Sequence, residues 1–165
     1  MTEVNLRRSV RALVLDGADR VLLCRFVLPD PSGTIVVWAA PGGGVERGET
    51  LLGALRRELE EEVGLAVTGD PPHVWHQEIL DPGISRGYDG VVNDYFLVRT
   101  GPFTPRGRLD EAALAAENIH GMRWWPLREV VEYRGPDLFS PRGLGAPLTA
   151  LVRGGVPGRP VRLGL

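Results

Sequence analysis

"GGVERGETLLGALRRELEEEVGL", Gly43 to Leu65, gathers six glutamates and three arginines in a chain whose formal charges nearly cancel. Setting Leu51 at zero and advancing about 100° per residue separates two faces of a helix that the pattern predicts from Thr50 to near Val63. Leu55, Leu59, Leu52 and Val63 fall between about 40° and 120° and form the apolar stripe that faces a core. Glu61, Glu58 and Glu62 lie together beside it, between about 280° and 380°. Glu60 and Arg56 fall on the remaining side, where charge is most simply solvated. Gly64, directly after the last apolar position, predicts a left-handed C-terminal cap.

Glu58 and Glu62 are like charges at i and i+4, a spacing that destabilises a helix by about 0.2–0.5 kcal/mol. A cation between them would reverse the penalty. An oxygen-only donor set of this charge suits Mg²⁺, with Mn²⁺ as a substitute, and the lack of His and Cys in the segment argues against zinc. The glycines upstream let backbone amides and carbonyls come close to such an ion or to a phosphate. Arg57 stands one turn before Glu61 and is placed to hold its carboxylate. A plain solvated helix face would explain Glu60, but not the Gly-rich entry, Arg57 or the sheltered glutamate trio.

The rest of the chain narrows the setting. At 165 residues it is expected to be one domain over residues 1–153 with a Gly/Pro-rich tail over 154–165. The net charge of −2 and the absence of a basic block give no nucleic-acid tail or polybasic anchor. "MTEVNLRRSV" has no signal-peptide core and no apolar run is long enough for a membrane span, so a cytoplasmic protein with no membrane partner and no DNA-binding module is expected. Cys24, alone in "VLLCRF", reads as a buried inert thiol.

"SVRALVLDGADRVLLCRFVL" predicts a hairpin from about Arg7 to Val27, followed by a strand at Ile35 to Ala39. "PGGG", Pro41 to Gly44, predicts a loop. Further strands are expected at Val74 to Leu80, Val91 to Thr100 and across "IHGMRWWPL". "LDEAALAAE" fits a helical turn or an ordered loop, and "REVVEY" and "APLTALVRG" fit two helices. The tail from Gly154 is either extended or an arm available to a homodimer interface.

Gly43, five residues, Glu49, seven residues, then Arg57 to Leu65 as "RELEEEVGL" matches the Nudix box at every defined position. "VVWAAPGG" before it and "MRWWPLREV" late in the chain extend the likeness, so the sequence resembles the Nudix hydrolase family over most of its length. The resemblance implies an α+β fold, a Nudix-type α/β/α sandwich around a mixed β-sheet. It also implies Mg²⁺-dependent hydrolysis of a nucleoside diphosphate linked to a group X, giving a nucleoside monophosphate and phosphorylated X. Small nucleotides such as oxidised nucleoside triphosphates are the favoured substrates. ADP-ribose, dinucleoside polyphosphates and a non-hydrolytic nucleotide sensor stay open. An isomerase of the same fold would need a catalytic cysteine, for which Cys24 is poorly placed.

Carried onto this sequence, the resemblance makes Glu58 and Glu62 the main metal ligands and Glu61 a further ligand or water-orienting group. The carbonyl of Gly42 is the backbone ligand, and Glu49 and Arg57 orient the helix carboxylates. Glu61 or Glu117 is the general base, with Glu111 the weaker choice. Arg25 and the Gly43 backbone are candidates for phosphate contact, and Trp38, Tyr88 and Tyr95 are candidate surfaces for a base. One of Trp124 and Trp125 is expected in the core, as is Phe96. His73, His76 and His120 show no ligand spacing and are read as structural.

Overall fold

The computed structural model describes residues 3–164, so the first two residues of the expected domain and the last of the expected tail lie outside it. Strands β1 (Leu6–Leu15) and β2 (Arg20–Asp30) form the expected hairpin, with Asp16 buried at its turn. The Asp16 carboxylate accepts the Ala18 and Arg20 amides at 3.0 and 2.9 Å, which closes the turn without exposing backbone donors. The two strands pair at Leu15 and Val21 and then part. Into the gap enters "PGGG". The three glycines form a short strand, β4 (Gly42–Gly44), antiparallel to β1 with Val10 opposite Gly43. The sequence predicts a loop here because glycine and proline punctuate. In the structure, the same lack of side chains lets backbone wedge against backbone, with the Ala12 amide donating to the Pro41 carbonyl at 2.9 Å.

The remaining elements are β3 (Gly33–Ala39), α1 (Leu51–Glu62), β5 (His73–Ile79), β6 (Gly90–Arg99), α2 (Glu111–Ala116), β7 (Ile119–Pro126), α3 (Leu127–Glu132), β8 (Leu138–Ser140), α4 (Gly145–Gly154) and β9 (Val161–Arg162). They build a mixed sheet in the order β8-β3-β2-β1-β6-β5-β9, with β4 on β1 and β7 on β2. β1 runs parallel to β6 and antiparallel to β4, so it is paired on both edges and buried on both faces. That is why its C-terminal part, Ala12 to Leu15, is an unbroken apolar run. Val10, Ala12 and Val14 pack beneath α1 with Leu55, Leu59 and Phe96. Leu13 and Leu15 turn to the other face, with Trp75, Tyr95, Trp125, Leu148 of α4 and Val130 of α3. Helices therefore cover both faces, as the α/β/α expectation requires.

Thr50 caps α1 through its hydroxyl, which accepts the Gly53 amide at 3.0 Å, and Gly64 takes the left-handed conformation at φ +74°. Trp125 is in the core and Trp124 is partly buried against Phe103. The tail takes a third course. β9 runs parallel along the outer edge of β5, and the Leu163 amide donates to the His76 carbonyl at 2.9 Å, so the arm lies on the chain's own sheet. No helix among the described residues is long and apolar enough to cross a membrane.

Leu59 is fully buried between α1 and the sheet. Leu59→Ala should cost about 2–5 kcal/mol, measured by urea denaturation, whereas Glu60→Ala on the exposed face should move stability by less than about 0.5 kcal/mol.

Candidate active site

α1 delivers its glutamates as the helical period demands. Glu58 and Glu62 are buried, Glu61 is half-buried and Glu60 is exposed. The β4 wedge lies against them. The Glu62 carboxylate accepts the Gly42 amide at 3.0 Å. A Cβ at Gly43 would stand 2.5 Å from Glu58 Oε1, so this position takes glycine because the carboxylate occupies the space a side chain would need.

Arg57 is the hub. Its Nε and Nη2 grip the two oxygens of Glu49 at 2.8 and 2.9 Å in a two-pronged contact, and Nη2 also donates to the Gly44 carbonyl at 3.0 Å. Its third nitrogen, Nη1, donates to Glu58 at 3.0 Å and reaches Glu61 only at 3.5 Å. Arg57 thus steadies Glu58 more closely than the Glu61 that helix spacing suggests. The Arg57 hydrogen bonds hold the Glu49 carboxyl down to about 2, and Glu49 holds the Arg57 guanidinium firmly charged. Glu46 completes the hub, with its carboxylate 3.8 Å from Arg57 Nη1.

Burial pushes Glu62 up to about 8, with Glu58 and Glu117 adding to the shift and Arg11 and the Gly42 amide opposing it. Burial likewise raises Glu58, against the pull of Arg57 and with Glu61 and Glu117 adding. Glu117, at the C-terminal end of α2, is therefore within electrostatic reach of both buried carboxylates. Its own carboxylate makes no hydrogen bond or ion pair among the described residues.

Three features of the site escape the sequence patterns. Arg11 breaks the apolar alternation of β1, and its Nη1 donates to the Ala40 carbonyl at 3.1 Å, beneath the wedge. The segment before α2 caps the C-terminal end of α1: the Arg106, Arg108 and Leu109 amides donate to the Val63, Glu60 and Glu61 carbonyls at 2.9, 3.2 and 2.9 Å. Gly107 permits that approach, since an added Cβ would overlap the Glu61 carbonyl. Between this segment and the start of β7 opens a cleft of about 1030 Å³ lined by Glu62, Arg106, Arg108, Glu111 and His120 among others.

Glu49, Arg57, Glu58, Glu61, Glu62, Gly42 and Gly43 are thus assembled in one place, with Glu117 nearby. The aromatic candidates are corrected. Trp38 is only 8% exposed, lies edge-on to Trp125 and donates its indole N–H to Asp137 at 2.9 Å. Tyr95 is 2% exposed against Trp75. Both belong to the core on the α3 and α4 face and offer no surface to a base, whereas Tyr88 is exposed. Arg25 is half-buried across the ladder from Trp38, at a bulge between β2 and β7, and makes no ion pair among the described residues. His73 and His76, read as structural, converge on Asp94 with ligand atoms all within 4.8 Å of one another.

The fold and this cluster point the same way as the comparisons. A model of the NUDIX domain matches residues 5–142, and the chain belongs to the Nudix family. Its mixed sheet between helices is the α+β Nudix fold, shared with the E. coli ORF135 protein at a TM-score of 0.65 and 20% identity over 94% of this chain and 96% of that one. The chain is 31% identical over 102 residues to an RNA pyrophosphohydrolase of Campylobacter jejuni, covering 59% of this chain and 65% of that protein. It is 35% identical over 94 residues to the nucleoside triphosphatase NudI of an Enterobacter species, covering 56% and 64%. The matches thus span just under two thirds of each relative's length.

Glu62 carries a pH signature. Its folded value of about 8 lies above its ordinary 4.5, so between these values the folded chain keeps a proton that the unfolded chain has released. In metal-free buffer this contribution to stability should be full below about pH 4.5 and should fade as pH rises through about 8. Melting temperature should therefore fall more steeply over that window in the wild type than in Glu62→Gln; parallel curves would contradict the burial-driven shift.

Proposed function

We propose that this chain is a divalent-metal pyrophosphohydrolase acting on a nucleoside diphosphate linked to X. It releases a nucleoside monophosphate and phosphorylated X. The observation that carries this is the buried Glu58 and Glu62 pair beneath a side-chain-free backbone wedge, with Glu62 on the wall of a cleft. The donor chemistry fits a hard cation, because the carboxylates are oxygen-only, closely grouped and hard to ionise where they stand. Mg²⁺ is the proposed ion, with Mn²⁺ as a substitute. Nudix enzymes generally use divalent metals.

Glu58 and Glu62 would be the principal ligands, joined by Glu61 and the Gly42 carbonyl. Bound there, a divalent ion would neutralise phosphate charge and acidify a water. Glu49 fixes the Arg57 fork, and Arg57 keeps Glu58 turned inward. Glu117 is the proposed general base, favoured over Glu61 because Glu61 is already engaged by Arg57 at 3.5 Å and approached by Arg108 at 3.9 Å. Water oxygen attacks phosphorus, its proton passes to Glu117, and the anhydride oxygen departs with X phosphate or with the nucleoside monophosphate. Arg106 and Arg108 on the cleft wall, the Gly43 backbone and Arg25 are the proposed phosphate contacts. Relatives named for RNA and for nucleoside triphosphates support substrates with a 5′-polyphosphate, including small and oxidised nucleoside triphosphates.

A panel of nucleoside triphosphates, 5′-triphosphorylated RNA, ADP-ribose and dinucleoside polyphosphates, assayed with Mg²⁺ and resolved by product, tests the reading. At least one should be cleaved at an anhydride bond, Glu62→Gln should abolish turnover, and Glu117→Gln should lower kcat by about 10²–10⁴-fold. Full activity in Glu62→Gln would sink the metal assignment, and tight binding without turnover by the wild type would make the chain a binding module.

A further inference from the structure

β5 contains an irregularity that places two histidines where a regular strand would not. His73 and His76 are three apart, so the two-residue period of a strand would send them to opposite faces. The β5–β6 register shifts between His73 and Trp75. This extra residue resets the alternation, and both imidazoles reach the same carboxylate on β6. His73 Nε2 lies 2.9 Å and His76 Nδ1 2.7 Å from Asp94 Oδ1. Asp94 is buried, while the His73 and His76 side chains remain 32% and 26% exposed, so the group is built on a rigid base and opens outward.

We infer that His73, His76 and Asp94 form a second metal site, for a divalent transition ion of the zinc class, separate from the glutamate site. Two imidazole nitrogens and one carboxylate are a softer donor set than the glutamates, and favour Zn²⁺ and its first-row neighbours over Mg²⁺. Three protein donors with an outward-facing fourth position are a common zinc arrangement. The two imidazole nitrogens now stand at hydrogen-bond separations from Asp94, and a tetrahedral ion would need its donors about 3.3 Å apart, so each imidazole would draw back from the carboxylate by about half an ångström. The supporting contacts are already in place. His76 presents Nδ1 to the site while Nε2 meets the Glu78 carboxylate at 3.0 Å, the outer carboxylate that orients many metal-bound imidazoles. His73 stacks on Phe96 with ring centroids 4.9 Å apart, which fixes its plane.

The site's position suggests what the ion does. One row crosses the sheet from His76 to Asp94 to Val10 to Gly43, so Gly43 lies two strand spacings from Asp94 and three from His76, about 10 to 14 Å. That separation excludes a shared two-metal centre. The His76 carbonyl also receives the Leu163 amide of the C-terminal arm, and Arg162 pairs with His76 in the β5–β9 ladder. An ion here would pin β5 to β6 and hold the strand on which the arm is laid, a structural role independent of hydrolysis.

The test titrates chelator-stripped full-length protein with Zn²⁺ in excess Mg²⁺, which saturates the harder site, and follows stoichiometry by calorimetry. The wild type should bind one Zn²⁺, and His73→Gln and His76→Gln should each weaken binding at least 100-fold while leaving the far-ultraviolet circular dichroism unchanged. Co²⁺ in place of Zn²⁺ should give visible absorption in the wild type that both variants lack. Equal Zn²⁺ binding in wild type and variants, or none in the wild type, would overturn the site and leave the three groups as a hydrogen-bonded cluster. Should the variants not fold, anomalous scattering at the zinc edge from wild-type crystals decides: density between His73 and His76 supports the site, and density elsewhere or none overturns it.

Discussion

Two carboxylates buried on successive turns of one helix are the constraint around which this chain is built. Neither Glu58 nor Glu62 has a cation of its own. Arg57 touches Glu58 but spends two of its three nitrogens on Glu49, and Arg11 reaches Glu62 only through the field. Burying charge without full compensation is expensive, and the expense appears as raised pKa values. A protein keeps such an arrangement where function requires it, because an apolar pair of similar size would pack with less cost.

The fold makes this burial possible by separating its first two strands. Were β1 and β2 paired along their length, no backbone could reach the glutamates from below. Because they part after Leu15 and Val21, β4 enters between them, bringing the Gly42 amide to Glu62 and the Gly44 carbonyl to Arg57. The opposite end of α1 is finished by residues far along the chain, with the Gly107 segment supplying amides to the last carbonyls. The helix is therefore fixed at its carboxylate face by local glycines and at its end by a distant loop, which also forms a wall of the cleft.

What was legible in the sequence follows from the range of the forces involved. The α1 faces and its Gly64 cap arise within one helix, where a fixed period ties position to direction, and the Arg57 to Glu49 link was legible through the family resemblance. Trp38 and Tyr95 were misjudged because a strand residue's face depends on which layer covers it, and both faces of this sheet are covered. β4 and the arm could not be anticipated, since three glycines and a Pro/Gly-rich tail carry no side-chain period. The His73, His76 and Asp94 cluster was hidden for a sharper reason: a bulge changes the period itself, and bulges are set by pairing across strands. Arg11 did leave a signal, as the one charge in "SVRALVL", but only the β4 wedge shows what it is for.

The C-terminal arm illustrates how an edge is managed. β5 would end the sheet with unpaired backbone groups, an open template for another strand. β9 covers part of that edge with a parallel pairing, the Gln77 side-chain Nε2 donates to the Gly164 carbonyl at 2.9 Å, and Leu163 packs on the core. The arm's inner edge and Leu163 are thus committed within its own chain, while Val156 and Val161 stay exposed and β9 becomes the outermost strand. A dimer formed through the arm without exchanging it would have to use the outer edge of β9, a strand of only two residues, because the inner edge already pairs β5.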